Sequence, residues 1–593
     1  MWVRYKDIKK DKTIFDNLLY LWRFFGKNRK AKFIFLIFLM LISIFTEMLS
    51  IGAVIPFLTA LTNPEILMKL EWFRPILSLF NITQSSELIL PLTIGFVSIS
   101  IIAGVVRISL LWVNTKLSAS MGVELRREVY STTLYRPYEY HTLQNSSNLI
   151  SMTTEKVNTV IHTSIIHVLL LISAFLSSIS IIVMLIFISP VVALSTFIIL
   201  GGGYILVGYL VRVRIRYNGD IIAKNHPQSV KYVQEGLGGI RDIIMNNSQS
   251  IFIQLYENVV KNIQFAVMNN TFLSNLPKSL LEMLSIILIV ILAYYLQSID
   301  DKLIVPILGA LALGTQRLLP SLQQIYFSWT HIISSQKFLE EIVEVLSDNK
   351  KSFEVVDNSL EFNHNIILKD ISFAYKNEEK YVLKNINIEI KKGQKIGFIG
   401  TTGSGKSTLL DIVMGLLSPS KGELKVDNIK IDSTNIIQWR SLISHVPQSI
   451  FLSDTSLAEN IAFGIDIDAI DLELVKKCAK DASLESFILG LPKQYKTTVG
   501  ERGVQLSGGQ RQRIGIARSL YKQAQIIVFD EATSALDNDT EASVMDAVHN
   551  LDKDLTIFII AHRLSTLKEC DVIYRLEDGM IVDFGSYRDM IIG

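Results

Sequence analysis

Charged residues are scarce in one half of this chain. Asp, Glu, Lys and Arg together make up 19% of its 593 residues, whereas soluble domains carry roughly 25%. The deficit is concentrated, because residues 157–211 contain none of the four, while the part after about residue 350 has an ordinary soluble composition. The composition therefore excludes a wholly soluble protein and predicts at least two domains, one of them in lipid.

Cysteine is also scarce, and the net charge is small. The two cysteines, Cys478 and Cys570, both lie in the soluble-looking half. They exclude a disulfide framework and fit a reducing compartment. A formal net charge of +2 gives no reason to expect nucleic acid as a partner.

Six apolar stretches are long enough to cross a membrane, which takes about 20 residues. Arg107 interrupts the second stretch and Arg317 the sixth. The predicted spans are residues 33–61, 88–118, 158–186, 191–212, 272–298 and 303–333.

Basic residues predict how these spans are oriented. Residues 1–32 are rich in Lys and Arg, and they precede an apolar stretch without a small-residue cleavage site. We expect this segment to be an uncleaved cytoplasmic lead-in, with both termini in the cytoplasm. The outer segment 63–86 is amphipathic. It is either an ordinary surface helix or a helix at the outer lipid interface.

The rest of the chain divides by composition. Residues 33–335 are predicted to be the membrane domain, residues 336–358 a charged linker, and residues 359–593 a soluble domain. In the soluble part, short β-like segments (395–399, 526–530 and 556–561) alternate with helical ones, which indicates a parallel α/β domain.

A phosphate-binding loop opens that α/β domain. The segment from Gly400 to Ser407 fits the pattern G-x-x-x-x-G-K-[ST] between a predicted strand and the apolar helix 409–417. Lys406 is expected to reach the β- and γ-phosphates of ATP, and the Ser407 hydroxyl to hold Mg²⁺. The predicted nucleotide contacts are Gly400, Thr401, Thr402, Gly403, Ser404, Gly405, Lys406, Ser407 and Thr408.

A pair of carboxylates follows a second predicted strand. Asp530 and Glu531 end the apolar segment that begins at Ile526, at the strand end where open α/β sheets bind ligands. Asp530 is expected to hold Mg²⁺, and Glu531 to orient and deprotonate the attacking water.

The pentapeptide Leu506-Ser507-Gly508-Gly509-Gln510 resembles the signature of the ABC transporter superfamily. The resemblance implies a P-loop ATP-binding cassette joined to an exporter-type membrane domain of six helices. It also implies that Ser507 and Gly509 of one cassette contact the γ-phosphate held by another, with Gly508 and Gln510 beside them. One intact cassette per chain then implies a homodimer with two equivalent composite sites.

Further residues match the same family pattern. Tyr375 matches the aromatic residue that stacks on adenine, and Gln448 matches the glutamine that touches Mg²⁺ and the membrane domain. Asp537 matches a loop that crosses the dimer interface, and His562 a histidine that contacts the γ-phosphate. The segment 500–503 resembles an exporter stretch, and residues 136–140 and 234–241 occupy the places of the coupling helices.

Ionisable residues inside the predicted spans are candidates for cargo contacts, because they are costly in lipid. Five such residues are Glu47, Arg107, Lys278, Glu282 and Arg317. Three of these five are basic, which suits an anionic passenger. The alternative is that acids and bases pair with one another between helices.

The membrane half is similar to bacterial flippases for lipid-linked oligosaccharides used in protein N-glycosylation. The similarity includes the segment 44–47, the outer helix and the segment 317–321. It implies that Arg107 and Arg317 handle a pyrophosphate, with Lys278 and Gln324 where arginines are expected. The expected function is ATP-driven flipping or export of a lipid-linked saccharide or similar anionic lipid across a bacterial inner membrane.

Two other functions stay open on the sequence. One is a multidrug, general lipid or peptide exporter. The other is a nucleotide-gated regulator or channel that binds ATP without pumping, against which the intact Glu531, His562 and signature argue.

Overall fold

A computed structural model describes residues 13–69, 84–188, 190–297, 304–347, 360–375, 380–531, 541, 554–561 and 564–592. Its internal contacts divide the chain into two units: Met1–Arg136 with His141–Lys350, and Pro137–Tyr140 with Lys351–Gly593. The predicted outer helix 63–86, whether a surface helix or one at the lipid interface, lies mostly outside the described residues, which give only a short helix and a 3₁₀ turn at its two ends.

The chain up to Lys350, which includes the first unit and the segment Pro137–Tyr140 of the second, contains helices and no strand in its described part. Three π-helical segments and one 3₁₀ segment join the α-helices: Met152–Lys156, Val160–Ile165, Phe197–Gly201 and Ser85–Leu88. The α-helices are α1 (Ile14–Phe24), α2 (Lys27–Gly52), α3 (Val54–Thr62), α4 (Pro64–Lys69), α5 (Ile89–Leu134), α6 (Tyr138–Leu143), α7 (Ser146–Ser151), α8 (Val157–Thr159), α9 (Ile166–Ile188), α10 (Pro190–Thr196), α11 (Gly202–Gly238), α12 (Ile240–Met245), α13 (Gln249–Gln297), α14 (Ile304–Ser334) and α15 (Gln336–Ser347).

Four helical stretches in the described residues are long and apolar enough to cross a membrane: Lys27–Thr62, Ile89–Leu134, Ser146–Ile188 and Ala193–Gly238. They contain the first and third predicted spans and all but the first one or two residues of the second and fourth. The fifth and sixth predicted spans coincide largely with α13 and α14. The helical character of the region is therefore confirmed, and the count of six spans stays a prediction.

The predicted linker 336–358 differs from the structure over its first twelve residues, which form α15. Its apolar residues repeat with helical spacing, and Phe338, Leu339 and Ile342 are buried in the core of the first unit. Charged residues on the opposite face made the segment look like a linker by composition. One of them, Glu341, accepts a 2.6 Å hydrogen bond from the buried ammonium of Lys156.

The second unit contains two sheets. An antiparallel four-stranded sheet has the order β2-β1-β4-β5, and a six-stranded sheet has the order β10-β9-β3-β8-β7-β6. The strands are β1 (Asn365–Phe373), β2 (Leu383–Lys391), β3 (Lys395–Ile399), β4 (Lys421–Val426), β5 (Ile429–Lys430), β6 (Ile443–Val446), β7 (Ile526–Asp530), β8 (Thr556–Ile560), β9 (Val572–Glu577) and β10 (Met580–Gly585).

Helices and short 3₁₀ segments complete the second unit. The 3₁₀ segments are Ile467–Ala469, Gln494–Lys496, Glu501–Gly503 and Leu564–Leu567. The helices are α16 (Lys406–Val413), α17 (Ile436–Ser441), α18 (Leu457–Ile461), α19 (Leu472–Asp481), α20 (Glu485–Leu489), α21 (Gly508–Tyr521) and α22 (Tyr587–Ile592).

Parallel pairing brings the predicted site residues to one edge of the larger sheet. β3, β6, β7, β8 and β9 run parallel, and only β10 pairs antiparallel with β9. The carboxyl ends of β3, β6 and β7 therefore lie at the same edge. Gly400, Gln448 and Asp530 stand at or just after those ends. The predicted parallel α/β domain is confirmed.

Candidate functional site

The loop after β3 has a backbone that requires glycine. Gly400 has a φ of +149°, and a Cβ there would lie 2.2 Å from the carbonyl oxygen of Leu576. Gly405 precedes α16 with a φ of +100°, in the left-handed region that favours glycine. The loop thus turns sharply into the N-terminus of α16, where backbone N–H groups and the helix dipole favour an anion.

The Lys406 side chain is hydrogen-bonded to this loop. Its ammonium donates hydrogen bonds to the carbonyls of Gly400 and Thr401, at 2.9 and 3.0 Å, and its side chain is buried. Burial lowers the pKa of Lys406, and the charges of Glu531 and Asp530 oppose that shift. The ammonium therefore stands between the loop and the carboxylates.

The other predicted loop residues lie around Lys406. Thr401, Thr402, Gly403 and Ser407 are exposed, Thr408 is half-buried, and Ser404 is buried. The Ser404 hydroxyl has no hydrogen-bond partner within the described part of the chain.

Asp530 and Glu531 differ in environment although they are neighbours. Burial raises the pKa of Asp530, and the charge of Glu531 raises it further. Lys406 and a hydrogen bond with Ser407 lower it. Glu531 has a φ of +49°, which is rare for a residue other than glycine and typical of functional sites. Its N–H donates to the carbonyl of Ile560 at 3.1 Å, so the neighbouring strand holds this backbone turn in place.

Gln448 contacts Glu531 across 83 residues of sequence. The amide Nε2 donates to Oε2 of Glu531 at 2.6 Å, a charge-assisted hydrogen bond. The oxygen set formed by the Ser407 hydroxyl and the Asp530 carboxylate fits a hard cation such as Mg²⁺. The structure thus joins Lys406, Ser407, Gln448, Asp530 and Glu531 in one site.

The segment 507–510 begins α21. The Ser507 hydroxyl accepts a hydrogen bond from the Gln510 N–H at 3.2 Å, and the Gln510 side chain accepts from the Ser507 N–H at 2.8 Å. This reciprocal pair is a capping box. Ser507 is exposed, and Gly508, Gly509 and Gln510 are half-buried, so the capped helix start faces outward.

Of the remaining predicted nucleotide contacts, one lies within the described residues and two lie outside them. Tyr375 is half-buried and packs edge-to-face on Phe373, with ring centroids 4.9 Å apart. His562 and Asp537 lie outside the described residues, so their roles stay predictions.

Two residues of this unit escaped the sequence reasoning. Asp411 lies on α16, four residues after Ser407, and burial together with the charge of Asp530 raises its pKa to about 6. Its i+4 spacing from Ser407 was a signal that could have found it. Arg518 donates to the carbonyls of Asn460 and Phe451 at 2.9 and 3.0 Å, and no motif singles it out.

The helical unit has an open cavity of about 530 Å³. Arg107 and Glu47 form an ion pair on its wall, with 2.8 Å between Nη2 and Oε1. Arg317 also lines it and donates from Nη2 to the Ser50 hydroxyl at 3.0 Å. The lining includes Glu47, Arg107, Ser177, Gln316, Arg317 and Gln324.

The predicted cargo residues are therefore only partly brought together. Arg107 and Arg317 line one cavity, whereas Lys278 is exposed on α13 and is not part of that wall. Gln324 lines the cavity and donates to the Ser328 hydroxyl at 3.0 Å. The pairing alternative holds in part, since Arg107 does pair with Glu47.

Two family models match the chain, one in each part. Residues 33–303 match the ABC transporter transmembrane region, and residues 383–534 match the ABC transporter model. The second match covers the loop at Gly400, the signature at Ser507 and the carboxylates Asp530 and Glu531.

Curated relatives match over part of their length. The chain is 31% identical over 399 residues to a beta-(1→2)glucan export ATP-binding/permease protein NdvA of Bartonella bacilliformis, covering 65% of each protein. It is 33% identical over 371 residues to an ATP-dependent lipid A-core flippase of Paraburkholderia xenovorans, covering 60% of each. It is 40% identical over 228 residues to mouse ATP-binding cassette sub-family B member 5, covering 38% of this chain and 18% of that protein. Each match thus spans less than two thirds of the relative's length.

A solved structure has the same fold. A bacterial Atm1-family ABC exporter with ATP bound superposes with a TM-score of 0.79 at 20% identity, and the match covers 95% of this chain and 97% of that one. At this identity the likeness concerns the fold alone. The two family models and the signature lead to one assignment: the chain belongs to the ABC transporter family, and it joins an exporter-type helical transmembrane region to an ATP-binding cassette.

Proposed function

We propose that this chain is one protomer of a homodimeric, ATP-hydrolysing exporter or flippase of a bacterial inner membrane, and that its cargo is a lipid-linked saccharide or a related anionic lipid. One observation carries the proposal. A single chain holds both the site around Lys406 and Glu531 and a cavity lined by Arg107 and Arg317.

Hydrolysis follows from the positions of the site residues. The loop N–H groups and the start of α16 bind the phosphates, and Lys406 exchanges its loop carbonyls for phosphate oxygens. Glu531, held by Gln448, accepts a proton from the water that attacks the γ-phosphorus, and the bond to the bridging oxygen breaks. Mg²⁺ bound by Ser407 and Asp530 would neutralise charge on the β- and γ-phosphates.

The homodimer explains why the signature faces outward. The capped start of α21 presents Ser507 and Gly509 at the surface, where a second cassette could supply the γ-phosphate. Both composite sites would then be complete, each with one P-loop and one signature.

The cavity favours an anionic passenger. Arg107 and Arg317 carry two positive charges against one from Glu47, and guanidinium groups bind phosphates in bidentate fashion. Two of the relatives, described as a lipid A-core flippase and a glucan exporter, support a saccharide-bearing cargo.

The test is transport by the purified chain in liposomes. Polyprenyl-pyrophosphate saccharides should stimulate ATP hydrolysis and be translocated, while dyes and zwitterionic phospholipids should not. Arg107→Leu with Arg317→Leu should keep basal hydrolysis and lose most of this translocation. Equal translocation by the double variant would reject the cavity as the cargo site.

The second candidate is a multidrug, general lipid or peptide exporter. The apolar part of the cavity wall, which includes the half-buried Leu313 and Leu170, favours such a cargo. If dyes alone stimulated ATP hydrolysis in the same panel of compounds, this second function would be favoured.

A further inference from the structure

The two side chains of the ion pair in the cavity differ in how far they are buried. The Arg107 side chain is 55% exposed, whereas the Glu47 side chain is only 7% exposed. A long, exposed side chain changes rotamer easily, while a buried one is held by its neighbours. Arg107 is therefore the partner that can leave, and Glu47 is the partner that stays.

A residue of a second helix, α9, holds the Glu47 carboxylate in place. Ser177 of α9 donates a short hydrogen bond from its hydroxyl to Oε2 of Glu47, while Oε1 accepts from Arg107. Glu47 thus keeps a partner even when Arg107 departs. This matters because a buried carboxylate without a partner is costly.

Arg317 retains unused hydrogen-bonding capacity. Its Nη2 donates to Ser50, but its Nη1 is buried without a partner among the described residues. An unsatisfied buried donor is unfavourable, so an anion in the cavity would be stabilised by it. The cavity wall therefore has one guanidinium satisfied by an internal carboxylate and another only partly satisfied among the described residues.

From these contacts we propose that Glu47 is an internal counter-anion that competes with cargo for Arg107. Before cargo binds, Glu47 holds the Arg107 guanidinium. When a phosphate-bearing headgroup enters, it binds Arg317 through Nη1 and takes Arg107 from Glu47. Glu47 is thus a positioning residue that weakens anion binding and favours release, and this role rests on the proposed function of the cavity.

The decisive variant is Glu47→Gln, which removes the competing charge and keeps the shape. The full-length protein is placed in nanodiscs, and ATP hydrolysis is measured against polyprenyl pyrophosphate or phosphatidylcholine. The variant should lower the half-maximal concentration of polyprenyl pyrophosphate about 5–10-fold, because the exchange of Arg107 no longer breaks an ion pair. The response to phosphatidylcholine should not change.

Three further variants separate this role from a structural one. Glu282→Gln, at an exposed acid of α13 outside the cavity wall, is the matched control and should bind like the wild type. Ser177→Ala should raise the half-maximal concentration about 2-fold, opposite to Glu47→Gln, because release of Arg107 then leaves the Glu47 carboxylate without a partner, and this variant replaces Glu47→Gln if the latter does not fold. In an Arg107→Ala background, Glu47→Gln should have no effect.

The outcomes distinguish a failure of the role of Glu47 from a failure of the proposed function. Unchanged or weaker affinity of Glu47→Gln, an equal gain for phosphatidylcholine, or a gain that persists without Arg107 would overturn the role of Glu47 alone. A wild-type protein that polyprenyl pyrophosphate does not stimulate would overturn the proposed function, and this inference with it.

Discussion

Replacing Gln448 with alanine tests the contact that orients Glu531. The variant removes one charge-assisted hydrogen bond of 2.6 Å, a class worth about 1.5–3 kcal/mol. Gln448 is exposed, so the lower end applies, and about 1.5 kcal/mol corresponds to roughly tenfold in rate. The loss should fall on kcat, because Gln448 positions the base, while the phosphate loop holds ATP without it.

The assay is steady-state ATP hydrolysis by the full chain in nanodiscs over a range of ATP concentrations. We expect kcat to fall about tenfold and KM to stay within about twofold of the wild-type value. Ser449→Ala, which shortens the neighbouring exposed residue of the same loop, is the control and should keep the wild-type rate. A wild-type kcat for Gln448→Ala, or a change confined to KM, would refute the assigned role.

Two further predictions concern the same unit. Asp411 has its pKa raised from 3.8 to about 6, so the stabilisation by its neutral form is complete below pH 3.8 and is lost as the pH rises through about 6. Asp411→Asn should remove that pH dependence, which amounts to about 2 kcal/mol of the free energy of unfolding after allowance for solvent screening. A melting-temperature profile of the variant as steep as that of the wild type between pH 4 and pH 6.5 would contradict this. Gly400→Ala places a Cβ 2.2 Å from a carbonyl oxygen, whereas Gly464, with a φ of +85°, has open space around it. The first variant should therefore weaken binding of a fluorescent ATP analogue at least tenfold and Gly464→Ala should not, so equal binding by both would contradict the loop geometry.

Local patterns predicted the strands that lead into the site of the second unit. The segments at 395–399 and 526–530 are strands with the predicted bounds, because uninterrupted apolar segments next to glycine and carboxylates have few alternatives. The helix after the loop begins at Lys406 and ends at Val413, earlier than the predicted 409–417. Helix ends depend on capping as much as on apolar spacing.

Features that depend on tertiary contacts could not be predicted from the sequence. The left-handed backbone of Glu531 and its contact with Gln448 arise from strand order, which one sequence does not specify. In the membrane half, the sequence identified Glu47 and Arg317, but their partners Ser177 and Ser50 are common residue types without a motif. Composition alone also misassigned α15 to a linker, since an amphipathic helix and a charged linker share the same residues.

The central claim is that ATP hydrolysis at Glu531 drives movement of an anionic lipid. The most direct measurement compares the wild type with Glu531→Gln in the same liposomes and follows translocation of a fluorescent polyprenyl-pyrophosphate saccharide after ATP is added. We predict ATP-dependent translocation by the wild type, and at least a hundredfold loss of both hydrolysis and translocation in the variant, with ATP still bound. Translocation that continues in the variant, or that needs no ATP in the wild type, would contradict the account.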